Sequence, residues 1–197
     1  MTERQRRTPR QARAETTIDA ILGATFQLLE ADGVDKLTTN HIAERAGVSI
    51  GTLYQYFGGK QDILAAIAQR RAAAVRDTIA QTLIERPELG SIRSIVRALM
   101  SGFEGSAATR QVLIDALFRQ GEDGMLMHHH HAFLASIAGK ARLDITLTPE
   151  SAFVLTHAVI SLLRAAAAEQ DLGLDPVALE DELVRLMGAY VAALTPA

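Results

Sequence analysis

The sequence has no cysteine, no tryptophan and only five prolines in 197 residues. A chain without cysteine can form neither a disulfide framework nor a thiolate metal site, which suits a reducing compartment. Scarce proline leaves long stretches free of the residue that breaks helices most strongly. With 48% hydrophobic and 22% charged residues, the composition is that of a globular protein with one or two domains.

Long uninterrupted apolar runs are also lacking. The longest, such as Phe153–Leu163, are interrupted by Thr156, His157 and Ser161. We therefore expect no membrane span, because a span needs about 20 predominantly apolar residues. The N-terminus carries no apolar segment after its basic residues, so we expect no secretory signal either. These features predict a cytoplasmic protein.

The net charge of −3 conceals a basic N-terminus. Its first fourteen residues contain a single acid, Glu3, and five arginines: Arg4, Arg6, Arg7, Arg10 and Arg13. A basic arm on an otherwise acidic chain indicates contact with a polyanion at one end, although a solvated tail explains the same charges. We predict that Met1–Gln11 is disordered until it binds a partner.

Apolar residues recur at three- and four-residue steps along most of the chain, which predicts an all-α fold. The best strand candidate, Ile145–Leu147, has only three residues. A first helix from Ala12 should end at Gly33 in a left-handed cap. Further helices are predicted at Lys60–Glu85, Ile92–Met100, Ala107–Arg119, Gly124–Ile137, Pro149–Glu169 and Pro176–Leu194.

Residues Leu37–Asp62 have the pattern of a helix-turn-helix. Thr38 or Thr39 can cap the first helix through a side-chain oxygen. Gly47 falls where the chain turns and a positive φ is expected. The apolar residues on either side, Ile42, Ala43, Val48 and Leu53, are spaced to pack the two helices together.

The second helix of this motif, predicted at Ser49–Tyr56, has the side chains of a DNA-recognition helix. In such motifs this helix lies in the major groove. Ser49 can cap it, and Gly51 permits close approach of the backbone to DNA. The side chains predicted to contact bases are Ile50, Thr52 and Gln55. Tyr54, Tyr56 and Lys60 are predicted to contact phosphates. The alternative is a small core helix with buried tyrosines.

The segments Ala46-Gly47-Val48-Ser49 and Gly51-Thr52-Leu53-Tyr54, followed by Tyr56-Phe57 and Lys60, resemble the TetR family of bacterial transcription regulators. The resemblance covers a quarter to a third of the chain. One departure is Gly58-Gly59, where two glycines should loosen the turn before the lysine.

The resemblance implies an all-α homodimer with about nine helices per subunit. A basic arm and three-helix DNA-binding domain would occupy residues 1–62, and a helical effector-binding and dimerisation domain residues 63–197. It places Thr38 and Thr39 among the phosphate contacts and the dimer interface on the last two helices. The function implied is a ligand-responsive repressor that binds a palindromic operator.

An effector pocket is predicted in the second domain, for an apolar or amphipathic small molecule. Its candidate residues are Phe103, Phe118, Met125, Met127, His128, Phe133 and His157. Flexible methionines suit an adaptable pocket. Ordinary core packing is the alternative for each of these residues.

The run His128–His131 raises a rival hypothesis, a metal-binding or enzymatic helical protein. On a helix only the first and last of these histidines share a face, whereas zinc needs three or four converging ligands. The sequence contains no nucleophile-base set and no glycine-rich phosphate loop. We therefore predict no metal, no cofactor and no enzymatic activity.

Overall fold

The computed structural model describes residues 9–85, 92–102, 105–119, 148–169 and 172–194. These residues form eight α-helices and no strand. The helices are α1 (Pro9–Lys36), α2 (Thr39–Ala46), α3 (Ile50–Tyr56), α4 (Lys60–Glu85), α5 (Ile92–Ser101), α6 (Ala107–Arg119), α7 (Pro149–Ala168) and α8 (Pro176–Leu194). The predicted all-α class is confirmed. The predicted helix at Gly124–Ile137 and the strand candidate Ile145–Leu147 lie outside the described residues.

The chain divides into two compact units, Met1–Ile67 and Ala68–Ala197. Helix α4 begins in the first unit and continues into the second. The domain boundary between residues 62 and 63 stays a prediction.

The first unit has a dense apolar core to which all four of its helices contribute. Ile21, Ile42, Leu53 and Ile63 are completely buried. Among residues 11–67, Thr25 is the one polar residue that is also buried, and its hydroxyl donates to the carbonyl of Ile21 at 2.7 Å. Because this buried hydroxyl makes a hydrogen bond, its burial does not carry the free-energy cost of an unsatisfied polar group.

Both ends of α1 differ from the prediction. The helix begins at Pro9, three residues before Ala12, so Pro9–Gln11 is helical rather than disordered. Gly33 has the expected positive φ of 77°, but its ψ of 173° lies far from the left-handed helical region. The predicted left-handed cap at Gly33 is therefore wrong. The glycine instead kinks α1, which resumes and ends at Lys36.

The second unit has a core between α5, α7 and α8. Its buried residues are Val96, Val159, Leu183 and Met187. At the edge of this core Glu180 of α8 accepts hydrogen bonds from Arg93 at 2.8 Å and from Arg97 at 2.7 Å. These ion pairs join α5 to α8.

Helices α7 and α8 start as predicted. Thr148 caps α7 by accepting from the amide of Ser151 at 3.2 Å, with Pro149 in the first turn. Asp175 accepts from the amides of Val177 and Ala178 at the start of α8. Side chains at both helix starts therefore satisfy amides that have no partner within the helix.

In the part of the chain that is described, α7 is the one helix long and apolar enough to cross a membrane. The inference that every apolar run is too short is wrong for this helix, because its 20 residues extend well beyond Phe153–Leu163. A single such helix is weak evidence for a membrane, since helices of soluble proteins meet the same criteria.

Candidate nucleic-acid interface

The turn between α2 and α3 is fixed by capping at both ends of α2. Thr38 caps the start of α2 by accepting from the amide of His41 at 3.2 Å. At its end Gly47 adopts φ 69° and ψ 29°, the left-handed conformation that glycine takes without strain. The next amide, that of Val48, donates to the carbonyl of Ala43 at 3.0 Å. The turn predicted at this glycine is present.

Helix α3 has one buried face and one exposed face. Leu53 anchors it, being completely buried. Ser49 caps it by accepting from the amide of Thr52 at 3.0 Å, and the two hydroxyl oxygens lie 2.8 Å apart. The exposed face offers Gly51 and Gln55. Two turns of α3 are thus held rigidly while their outer face stays open.

The aromatic residues of α3 do not belong to the core. Tyr54 is 54% exposed, Tyr56 is 37% exposed and the neighbouring Ile50 is 38% exposed. The alternative of a small core helix with buried tyrosines is therefore wrong. The Tyr54 hydroxyl lies 3.2 Å from the hydroxyl of Thr39, which joins α3 to the start of α2. Two predicted phosphate contacts thus lie side by side.

Lys60, another of the predicted phosphate contacts, is engaged within the protein. Its ammonium donates to the carbonyl of Val34 at 3.1 Å. Two residues later, Asp62 accepts from the amide of Gly58 at 2.9 Å. At the start of α4, therefore, the Lys60 ammonium and the Asp62 carboxylate both have hydrogen-bond partners within the protein.

Sequence reasoning missed both Val34 and Asp62. Asp62 could have been found, because an acid in the first turn of a helix commonly accepts from amides just before it. Val34 gives no such signal, because it acts through its backbone carbonyl.

The predicted effector-pocket residues are only partly described. Phe118 of α6 is half-buried, and the guanidinium of Arg164 lies 4.7 Å from its ring centre, a cation–π contact. His157 of α7 is half-buried and stacks on Phe153 at 3.9 Å. The structure places these residues in two separate contacts. Outside the described residues lie Phe103, Met125, Met127, His128 and Phe133.

The histidine cluster of the rival hypothesis, His128–His131, also lies outside the described residues. Within the described ranges no group of three or more histidine, aspartate or glutamate side chains could hold a metal ion.

Comparison with known proteins supports the helix-turn-helix assignment. Residues 21–67 match the family described as bacterial regulatory proteins, tetR family. The chain is 30% identical over 128 residues to the HTH-type transcriptional regulator TtgW of Pseudomonas putida, covering 64% of this chain and 90% of that protein. It is 31% identical over 128 residues to SrpR of Pseudomonas putida, of whose length the match spans 56%.

A solved structure has the same fold. It is that of the multidrug binding protein EbrR complexed with imidazole, with a TM-score of 0.58 and 17% identity, covering 91% of this chain and 95% of that one. Because the family match coincides with the helices around α3, and TtgW is covered almost throughout, the chain belongs to the TetR family of helix-turn-helix transcriptional regulators and is not an enzyme.

Proposed function

We propose that this regulator is a one-component repressor. It binds a palindromic operator as a homodimer and leaves the DNA when a small effector binds its second unit. It would act in the cytoplasm, where its DNA is. The observation that carries the proposal is the construction of α3, whose inner face is anchored in the core while its outer face is exposed.

The length of α3 favours two copies. Seven residues at about 1.5 Å each make a helix of about 10 Å, which spans about three base pairs at 3.4 Å per pair. One copy would specify too little sequence for a unique site. A dimer with recognition helices about 34–36 Å apart would reach successive major grooves and double the sequence that is contacted.

Within α3 we assign the base contacts chiefly to Gln55. Its amide is exposed and can pair with adenine in a bidentate manner. The Thr52 hydroxyl already lies beside that of Ser49, so it has less freedom to contact a base. Ile50 is positioned for a thymine methyl group. Tyr54, Tyr56, Thr38 and Thr39 would hold the phosphates, and the exposed Gly51 would allow close approach.

The proposed dimer interface is the exposed apolar surface of α7 and α8. Its large apolar side chains, each more than two-fifths exposed, are Phe153, Val154, Leu162, Leu172, Leu174, Val177 and Leu186. Between the two helices lies an open apolar groove of about 410 Å³, lined by residues that include Leu162, Leu183 and Leu186. Apolar surface of this extent commonly marks an interface, and a second copy would bury it.

Effector binding is proposed for the part of the second unit that the proposed dimer interface does not use. The fold admits small molecules, because EbrR, which shares it, is a multidrug binding protein solved with imidazole. The effector would be apolar or amphipathic, with Phe118 and His157 among its candidate contacts. For release, it must bind the DNA-free arrangement more tightly than the DNA-bound one.

The test is selection of DNA by the full-length protein from a random pool. We expect enrichment of a palindrome, with release by a subset of apolar compounds added to the complex. Gln55→Ala should relax selectivity at one base position by about 1–3 kcal/mol. Tyr56→Phe should instead weaken binding to all sequences equally. Enrichment of no sequence, or of a site without two-fold symmetry, would contradict the proposal.

A further inference from the structure

We infer that one face of α7 binds the effector and that this effector is an aromatic carboxylate. Its carboxylate would bind the guanidinium of Arg164, and its ring would lie against the imidazole of His157. The inference rests on the proposed function and names the chemical class of the effector. It retains the predicted pocket residues His157 and Phe118 and adds Arg164 to them.

Two side-chain clusters of α7 lie on the same face of the helix. Phe153, His157 and Arg164 are spaced i, i+4 and i+11, which places all three along one line of an α-helix. Seven residues separate His157 from Arg164, so their positions on α7 lie about 10 Å apart along the helix axis. Helix α6 lies beside the second cluster, because its residues Asp115 and Phe118 both contact Arg164. The face therefore offers two anchors at a fixed separation.

The guanidinium of Arg164 is held in place but keeps donors for a ligand. Its centre lies 4.7 Å from the centre of the Phe118 ring, a cation–π contact that limits its movement. Within the described residues its one hydrogen bond runs from Nε to Asp115 at 3.4 Å, whereas the ion pairs between α5 and α8 are 2.7 and 2.8 Å long. With 48% of the side chain exposed, both Nη groups are accessible to the two oxygens of a carboxylate.

The imidazole of His157 supplies a flat surface with a fixed orientation. Its Nδ1 lies 3.0 Å from the carbonyl oxygen of Phe153, and because a carbonyl oxygen only accepts, Nδ1 must donate. The ring also stacks on that of Phe153, with the centres 3.9 Å apart. Because His157 is only half-buried, part of its ring is open to a planar group. Phe153, which also borders the proposed dimer interface, serves here to support His157.

The charges at this face favour an anion over a cation or a neutral molecule. The Arg164 side chain is 48% exposed and that of Asp115 only 35%, so a cation would be repelled by the guanidinium before it reached the carboxylate. A neutral apolar molecule that covered Arg164 would exclude water from its Nη donors without replacing those hydrogen bonds. A carboxylate satisfies them, and its planar geometry matches the guanidinium.

The test uses the DNA-free full-length protein and two rigid probes of the same shape, biphenyl-4-carboxylate and its neutral amide, biphenyl-4-carboxamide. Isothermal titration calorimetry measures the affinity of each probe for the wild type and for Arg164→Gln. We expect the wild type to bind the carboxylate at least about tenfold more tightly than the amide. Arg164→Gln should abolish this preference and leave the affinity for the amide unchanged. Equal affinities for the wild type, or no binding of the carboxylate, would overturn the inference.

Asp115→Asn separates an anion site from an ion pair that only joins α6 to α7, and it stays informative if Arg164→Gln does not fold. The variant removes the carboxylate that competes for Arg164, so it should bind biphenyl-4-carboxylate about threefold more tightly than the wild type. Weaker binding by this variant would contradict the proposed anchor.

The role of His157 has a different signature, because a ring contact does not depend on the charge of the probe. His157→Ala should weaken the binding of both probes by the same factor, about threefold to tenfold, and His157→Phe should restore it. Unchanged affinities in His157→Ala would show that the aromatic part of the probe lies elsewhere.

Addition of the same probes to the complex with selected DNA distinguishes this inference from the proposed function. Release by the carboxylate, with a weaker response in Arg164→Gln, would support both. Binding through Arg164 without release of DNA would contradict the proposed release by an effector and leave the site standing. Release by other apolar compounds, without any binding of the carboxylate, would overturn the site and leave the proposed function standing.

Discussion

The two units of the chain treat their large apolar side chains differently. Among the described residues of the first unit, the exposed ones are confined to α3: Ile50, Tyr54 and Tyr56. In the second unit they include Ile84 of α4 and extend along α7, its connection to α8 and α8 itself, with Val177 69% exposed. Both units are helical, so secondary structure does not explain the contrast.

Among the described residues, the core of the first unit is closed within one copy, whereas α7 and α8 of the second unit keep large apolar side chains exposed. In the first unit Leu53 and Ile63 are completely buried, and the exposed large apolar side chains lie on the face of α3 that we assign to DNA. Leu162 and Leu186, by comparison, border an open groove. The proposed dimer would supply an apolar partner to the second unit, and DNA would supply a polar partner to the first.

The largest expected effect comes from the core of the first unit. Leu53→Ala removes a completely buried side chain and should lower the free energy of unfolding by about 2–5 kcal/mol. The matched control on the same helix is Ile50→Ala, which should cost less than about 1 kcal/mol because that side chain is partly exposed. Chemical denaturation followed by circular dichroism measures both. Equal effects would show that α3 is not anchored as described.

The next effect concerns the proposed dimer interface of the second unit. Leu186→Glu would place a carboxylate among apolar side chains of two subunits, raising the dimer dissociation constant at least about 100-fold. Gln27→Glu adds the same charge to an exposed position on α1 and is the control. Sedimentation velocity over a range of concentrations reports the shift to monomer. A wild type that is already monomeric would contradict the proposal that the exposed leucines lie in a dimer interface.

A smaller effect is expected where charges rather than apolar side chains join helices of the second unit. Hydrogen bonds from Arg97 and Arg93 lower the pKa of Glu180 below its ordinary value. A carboxylate with a lowered folded-state pKa stabilises the protein above its unfolded-state pKa, and that stabilisation disappears as the pH falls through the folded-state value. Glu180→Gln should therefore lower the melting temperature by a few degrees at neutral pH.

The pH series provides the control for this substitution. The difference between the melting temperatures of wild type and Glu180→Gln should begin to shrink as the pH falls below about 4.3, the ordinary pKa of glutamate, and should vanish below the lowered folded-state pKa, where the wild-type carboxyl is protonated. A difference between the two proteins that stays constant from pH 7 to the lowest pH at which both still fold would mean that the glutamate acts through packing and not through its charge.

Much of the first unit could be predicted from the sequence, because its rules are local. Only glycine takes the conformation at Gly47 without strain, and Ser49 is a cap three residues before the amide that it binds. Thr38 and Thr39 both fit the capping rule, so the sequence left them as alternatives. The structure selects Thr38 as the cap and leaves Thr39 to meet Tyr54.

The remaining features depend on contacts between distant residues. Lys60 meets a backbone carbonyl 26 positions earlier, in the short segment that follows the kink of α1 at Gly33. No spacing rule links two such positions. Broad apolar faces on the last two helices were visible in the sequence, but their exposure depends on how Val159 and Leu183 direct α7 and α8 towards their shared core.

The smallest expected effect concerns the pair of hydroxyls, those of Thr39 and Tyr54, that joins α2 to α3. Tyr54→Phe and Thr39→Val each remove one hydroxyl, and the 3.2 Å contact between them should contribute about 0.5–1.5 kcal/mol to stability. In the DNA-free protein the double variant should then lose less than the sum of the single variants, by that amount. On DNA, a phosphate held by both hydroxyls would preserve the coupling in the binding free energy. Additive losses in both experiments would mean that the two hydroxyls act independently, and Tyr54 would then contact DNA without help from α2.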